Sequence, residues 1–71
     1  MFNEGDAVVR KRLHYDAYWK NLCKNNKVRL DAEFTVKCEL DDSIEIAFGP
    51  YNRLRVFKNK FELADISLEN E

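Results

Sequence analysis

Large apolar residues alternate with polar ones in the centre of the chain, on both sides of a short acidic turn. Every second residue from Phe34 to Leu40 is apolar, and the same period continues from Ile44 to Phe48. A period of two is typical of a β-strand with one buried face. The intervening Asp41-Asp42-Ser43 has the composition of a turn. The pattern therefore predicts a β-hairpin, and this constrains the fold more than any other feature.

Three further strands are predicted, and one helix interrupts them. Weaker alternation marks residues 7–11, 53–57 and 61–64, and Gly49-Pro50-Tyr51-Asn52 is the strongest turn signal. Between Leu13 and Arg29 the period changes to that of a helix, predicted over 16–25, with Asp16 at its start and Asn25-Asn26 at its end. The apolar face of this helix carries Tyr15, Tyr18, Trp19, Leu22 and Cys23.

Five short strands and one helix in 71 residues predict a single mainly β domain, spanning 1–71. We expect a small five-stranded barrel with the helix inserted between the first and second strands, and a frayed tail at 67–71. Closure into a barrel removes exposed strand edges. The alternative is an open antiparallel sheet of three or four strands, with the helix across one face.

Three short motifs carry a resemblance to a known family. They are Gly5-Asp6-Ala7-Val8-Val9-Arg10, Glu33-Phe34-Thr35-Val36 and Lys60-Phe61-Glu62-Leu63. The chain resembles the small SH3-like (KOW/Tudor-like) barrels, especially short uncharacterised ones common in bacteriophage genomes. It departs from them between Leu13 and Asp31, where those barrels carry a Gly-rich loop. The resemblance implies an SH3-like barrel that acts as a binding module for protein or nucleic acid, and rarely as an enzyme.

The residues that catalysis needs are sparse. His14 is the single histidine, no serine lies near it in sequence, and Asp41-Asp42 reads as a hairpin tip. No phosphate loop or metal-ligand spacing is present. We therefore expect a protein that is not an enzyme and that uses no cofactor and no metal. Cys23 and Cys38 are expected to be free thiols.

The location follows from what the sequence lacks. The longest apolar run is far shorter than the roughly 20 residues that span a bilayer. The opening residues are acidic and polar, unlike a signal peptide. We expect a cytoplasmic protein that does not contact membranes.

Charge is strongly segregated along the chain, although the net charge is only −1. Residues 10–29 contain seven basic side chains and one acidic one, whereas 30–45 contain six acidic side chains and one basic one. Residues 53–60 add four more basic side chains. These charges either form ion pairs between strands or leave a basic surface patch.

Two binding hypotheses follow. In the first, a protein partner binds the helix face, formed by Tyr15, Tyr18, Trp19 and the Tyr51 loop and rimmed by basic side chains, as in a phage or bacterial accessory protein. The same aromatic residues have a second interpretation, in which they pack the helix against the barrel. The candidate binding residues are Arg10, Arg12, Tyr15, Lys20, Lys24, Lys27, Tyr51, Arg53 and Arg55.

In the second hypothesis the ligand is nucleic acid. Its phosphates would contact basic side chains, and Tyr15, Tyr51 or Phe57 would stack on bases. An isoelectric point near 5.8 argues against it, because nucleic-acid-binding domains are usually basic. A weaker variant is a cage for a cation formed by the same three aromatic residues. The phosphate contacts are assigned to Arg10, Arg12, Lys20, Lys24, Arg53 and Arg55.

Overall fold

The computed structural model describes residues 2–64, which form one five-stranded antiparallel sheet and one α-helix. The mainly β class and the helix between the first two strands are confirmed. The predicted fraying at 67–71 lies outside the described residues. The elements are β1 (Ala7–Arg10), α1 (Ala17–Asn26), β2 (Phe34–Glu39), β3 (Ser43–Phe48), β4 (Tyr51–Phe57) and β5 (Phe61–Leu63), with 3₁₀ turns at Arg12–His14 and Lys58–Lys60.

The sheet is open, so the predicted closed barrel is not confirmed. The strand order is β4-β3-β2-β1-β5, which leaves β4 and β5 as the two edges of the described sheet. The turn between β4 and β5 explains why these two strands do not pair with each other. Residues Lys58–Lys60 form a 3₁₀ turn instead of a tight hairpin, and β5 then pairs with β1 along Val8–Leu63, Val9–Glu62 and Arg10–Phe61. The open alternative had too few strands, since all five are present in one sheet.

Strand β2 connects the two halves of the sheet. Its first residues pair with β1, and its later residues pair with β3. The register with β3 shifts between Val36 and Cys38. Such an irregularity bends a strand and increases its twist, so the β1–β5 half and the β3–β4 half can curve towards the same core.

Both ends of α1 are specified locally. Asp16 is the N-cap, and its Oδ1 accepts a hydrogen bond from the Trp19 backbone N–H at 2.9 Å. At the other end Lys27 adopts the left-handed conformation, with φ of 57°. The expected left-handed stop at Asn25-Asn26 is therefore wrong by one or two residues. Asn26 stays helical, and its side-chain Nδ2 donates to the Leu22 carbonyl at 2.9 Å.

The core is built around Trp19, which is fully buried. Its ring makes edge-on contacts with Phe34, Phe48 and Phe61 at centroid distances of 5.6 to 5.8 Å. Its indole Nε1 donates to the Leu30 carbonyl at 3.2 Å, so the buried donor is satisfied. For Trp19 and for the buried Cys23, the packing interpretation of the helix face is thus the one observed. Both cysteines are free thiols, and within residues 2–64 no helix is long and apolar enough to cross a membrane.

Candidate functional site

A groove of about 540 Å³ lies where the start of α1 meets the sheet. It is lined by residues from the end of β1, the start of β3 and the end of β4, and from the turn after β4. Its volume falls within the range of small-ligand sites. The buried residues that line it, here called the groove floor, are Arg10, Ser43 and Val56.

Two exposed aromatic side chains line this groove. Tyr18 is 58% exposed and Phe57 is 56% exposed. Tyr18 belongs to the first turn of α1, and Phe57 is the last residue of β4. Removing a large exposed aromatic side chain from water lowers the free energy, and such side chains are enriched at the centres of protein interfaces. The groove therefore presents an apolar contact surface that the described residues leave uncovered.

Arg10 forms the charged part of the groove floor. Its side chain is almost completely buried, and the guanidinium lies 4.8 Å from the centre of the Trp19 ring and 5.5 Å from that of Phe61. Nε donates to the His14 carbonyl at 2.9 Å, and one Nη donates to Asp16 Oδ2 at 3.4 Å. Burial lowers the pKa of Arg10 and the nearby Asp16 carboxylate opposes this, while the group itself stays charged at any physiological pH.

Asp16 joins the groove to the helix start. One carboxylate oxygen caps α1 through the Trp19 N–H, and the other accepts from Arg10. The hydrogen bond from the Trp19 backbone lowers the pKa of Asp16 below its ordinary value, and the positive charge of Arg10 lowers it further. The carboxylate is thus ionised at neutral pH and committed to partners within the protein.

Ser43 is the second polar group of the floor, and its hydroxyl has no partner. Its Oγ is the one buried side-chain nitrogen or oxygen without a hydrogen bond in the part of the chain described. Ser43 begins β3 and pairs directly with Phe57 of β4. The hydroxyl therefore lies in the same part of the sheet as the exposed Phe57 ring.

The remaining charges at the groove are Arg55, Lys60 and Asp42. Within residues 2–64 none of the three forms an ion pair. Lys60 Nζ lies 5.7 Å from the centre of the Phe57 ring. Arg55 precedes Phe57 by two residues in β4, so the two side chains project from the same face. Two cations that form no ion pair within residues 2–64 thus lie beside one exposed aromatic ring.

The predicted binding residues are dispersed. Arg10 and Arg55 line the groove, but Arg10 is buried instead of lying on a basic surface. Arg53 donates to Glu45 Oε1 at 2.9 Å, and Lys27 ends α1. The structure places the remaining five outside the groove, with Tyr15 half-buried against the core and the others exposed: Arg12, Tyr15, Lys20, Lys24 and Tyr51.

The aromatic residues proposed as one face lie at separate places. Trp19 is core, Tyr18 lines the groove, and Tyr51 is half-exposed beside Phe48 in the β3–β4 hairpin. That hairpin lies near the other end of α1, since a Cβ added to Gly49 would come 3.3 Å from Val28 Cγ2. The helix face therefore does not form one aromatic patch.

The sequence predicts no binding role for Asp16, Ser43 or Lys60, and it places Tyr18 only on the helix face. Tyr18 had a detectable signal, because it lies at the margin of the apolar helix face. Ser43 had none, since a serine beside two aspartates in a turn is ordinarily exposed. Its burial depends on pairing with β4, which is a property of the tertiary fold.

A second polar cluster lies on the outer face of the sheet. Cys38 Sγ donates to Glu45 Oε1 at 3.2 Å, and Arg53 donates to the same oxygen. The hydrogen bond to Glu45 raises the pKa of the Cys38 thiol, so the thiolate is disfavoured. Among the described residues no group of three His, Cys, Asp or Glu side chains is placed to hold a metal ion.

Comparison with known proteins adds no relative. No family model matches the chain, and neither a curated protein nor a solved structure matches it. The resemblance to SH3-like barrels therefore stays a prediction, and the groove itself is the ground for inferring function.

Proposed function

We propose that the protein is a non-enzymatic binding module that captures a protein partner in the groove between α1 and the sheet. The observation that carries this is the pair of exposed aromatic side chains, Tyr18 and Phe57, that line one groove of about 540 Å³. A partner side chain inserted there removes apolar surface of both molecules from water. The basic rim predicted from the sequence, Arg12, Lys20 and Lys24, lies outside the groove, and the exposed or half-exposed basic residues that line the groove are Arg55 and Lys60.

Nucleic acid is the less favoured partner because a third of the basic side chains already have acidic partners within residues 2–64. Of twelve Lys and Arg residues, four form ion pairs within residues 2–64. Such pairs match the ion-pair interpretation of the segregated charges and leave fewer groups for phosphates. The four paired residues are Arg10, Arg29, Arg53 and Lys58.

We further infer that the fold is a partly open SH3-like barrel. The support is that β2 pairs with β1 through its first half and with β3 through its second half, with a bend between them. Two curved halves sharing one strand can enclose a single core without closing the edge between β4 and β5. An experimental structure with β1–β5 and β3–β4 lying in one flat layer would overturn this inference.

The function is tested by selection from a library of short random peptides displayed on phage. The wild-type protein is compared with a variant carrying Tyr18→Ser and Phe57→Ser, and enriched sequences are counted. We expect the wild type to enrich a set of related peptides that the double variant does not enrich. The matched control is Tyr51→Ser, which removes an exposed aromatic side chain outside the groove and should leave enrichment unchanged.

A second arm separates the groove from the helix surface. Lys20→Glu with Lys24→Glu reverses two exposed helix charges that do not line the groove. Loss of enrichment in this variant, with enrichment retained after the Tyr18 and Phe57 changes, would assign binding to the helix instead. Anisotropy of labelled single-stranded DNA, duplex DNA and RNA at low salt completes the test, and tight binding with a steep salt dependence would favour the nucleic-acid alternative.

A further inference from the structure

The hydroxyl of Ser43 indicates that the groove receives a hydrogen-bonding group. Burying a hydroxyl without a partner costs free energy, so buried polar groups are almost always paired. Ser43 is 3% exposed and its Oγ has no partner among residues 2–64. Because Ser43 lines the groove, a molecule that enters it can supply the missing partner once a change of the Ser43 rotamer turns the buried Oγ towards it.

The charges beside Phe57 indicate the sign of the charge that the bound molecule carries. Arg55 and Lys60 both line the groove with the exposed ring, and neither forms an ion pair with a described residue, although Lys60 helps to lower the pKa of Asp16 and Arg55 that of Glu45. Arg10 adds no free charge, because Asp16 already neutralises it. An apolar side chain packed on Phe57 therefore has two cations beside it that are not held in ion pairs, and they favour an adjacent negative charge.

The neighbouring carboxylates limit how much negative charge can bind. Asp42 lines the groove, and an adjoining cavity that shares Asp42 and Arg55 is also lined by Asp41 and by the ion pair of Glu39 with Lys58. A polyanion that extends from the groove along this surface meets like charges. A single carboxylate beside Phe57 avoids them. This balance favours a peptide over a nucleic acid.

We propose that the groove recognises a peptide segment in which a large apolar side chain stands next to a carboxylate, an assignment that rests on the protein-binding function proposed above. The apolar side chain packs between Tyr18 and Phe57. The carboxylate pairs with Lys60 or Arg55, and the Ser43 hydroxyl hydrogen-bonds to a polar group of the peptide.

The test uses three blocked dipeptides that differ only in charge: N-acetyl-Phe-Glu amide, N-acetyl-Phe-Gln amide and N-acetyl-Phe-Lys amide. Each is titrated into the isotopically labelled protein, and the backbone amide signals are followed by NMR. We expect the glutamate peptide to shift the signals of Tyr18, Ser43 and Phe57. The glutamine peptide should bind about fivefold more weakly, which is the size expected for a partly exposed ion pair.

Two variants assign the charge and the apolar contact separately. In a protein with Arg55→Gln and Lys60→Gln, the glutamate and glutamine peptides should bind equally. In a protein with Tyr18→Ser and Phe57→Ser, neither should bind. The spectrum of each free variant checks that the fold is retained, since three of these four residues are exposed and the fourth is half-exposed.

Ser43→Ala should affect stability and peptide binding in opposite directions. The free variant should unfold at an equal or higher denaturant concentration than the wild type, because an unpaired buried hydroxyl has been removed. Binding of the glutamate peptide should weaken about fivefold, because a hydrogen bond to the ligand is lost. Unchanged peptide binding would remove Ser43 from the recognition site.

The outcomes separate the peptide chemistry from the protein-binding function. If all three dipeptides bind the wild type equally, and none binds the variant with Tyr18→Ser and Phe57→Ser, the carboxylate preference is contradicted. The protein-binding function is still supported in that case. Tighter binding of the lysine peptide makes Asp42 the recognition group instead. Adenosine monophosphate shifting the same signals more strongly points to nucleic acid. Both the peptide chemistry and the protein-binding function are overturned if two results are found together. The first is that no probe shifts the NMR signals, and the second is that library enrichment does not depend on Tyr18 and Phe57.

Discussion

The guanidinium of Arg10 lies 4.8 Å from the centre of the buried Trp19 ring. Phe61 lies on the same guanidinium at 5.5 Å, and His14 and Asp16 accept its hydrogen bonds. A planar cation can satisfy all of these contacts, whereas an ammonium cannot stack in the same way. Arg10 is therefore part of the aromatic core as well as of the groove floor.

We expect Arg10→Lys to destabilise the protein by about 2 kcal/mol and Arg10→Met to cost less. Lysine leaves a buried charge without the stacked geometry, whereas methionine fills the space without a charge. Urea unfolding followed by Trp19 fluorescence measures both. A lysine variant as stable as the wild type would show that the planar stack contributes nothing.

Asp16→Asn and Asp16→Ala separate the cap from the ion pair. Asparagine still accepts the hydrogen bond of the Trp19 N–H but loses the charge opposite Arg10, and alanine loses both. At neutral pH the order of stability should be wild type, then asparagine, then alanine. Urea midpoints give this order. An asparagine variant as stable as the wild type would mean that the ion pair with Arg10 contributes nothing to stability.

The same carboxylate makes stability depend on pH. The pKa of Asp16 is lowered in the folded protein, so the unfolded chain binds a proton more readily. Its stabilising contribution is fully present above about pH 4, and it is lost as the pH falls through the folded pKa. The urea midpoint should fall less steeply with acidification in Asp16→Asn than in the wild type. Equal slopes would exclude Asp16 as a source of acid sensitivity.

Replacement by glycine should have opposite effects on stability at two exposed lysines. Lys27 has a φ of 57°, where glycine carries no steric cost, and Lys24 lies within α1. Lys27→Gly should stabilise the protein by about 1 kcal/mol, and Lys24→Gly should destabilise it by about the same amount. Thermal unfolding of the two variants tests this. Destabilisation by Lys27→Gly would mean that the lysine side chain itself supports the helix end.

The Cys38 thiol should become more reactive when Glu45 loses its charge. Glu45→Gln removes the hydrogen-bonded carboxylate that raises the thiol pKa, whereas Arg53→Gln removes a nearby cation that lowers it. The rate of disulfide exchange with an aromatic disulfide reagent at neutral pH should therefore rise in the first variant and fall in the second. Cys23 is buried and should not interfere. The same direction of change in both variants would contradict this electrostatic account.

The strands could be predicted from the sequence because their signals are local. The alternation around residues 41–43 gives β2 and β3 nearly as observed, and the helical period gives α1 to within one residue. The groove could not be predicted, because its residues come from five separate parts of the chain. Arg10 is an example, since arginine is ordinarily exposed and its burial here depends on the His14 carbonyl, the Asp16 carboxylate and two aromatic rings.

The pairing of β1 with β5 sets the order in which the protein can mature. Val8 pairs with Leu63, so the β1–β5 half of the sheet is incomplete until nearly the whole described chain has left the ribosome. The β2–β3–β4 meander has only local pairings and can form earlier. We expect chains stalled before Phe61 to contain the meander but not a protected Trp19. The groove, which combines residues of β1 and α1 with residues of β3 and β4, is then completed last.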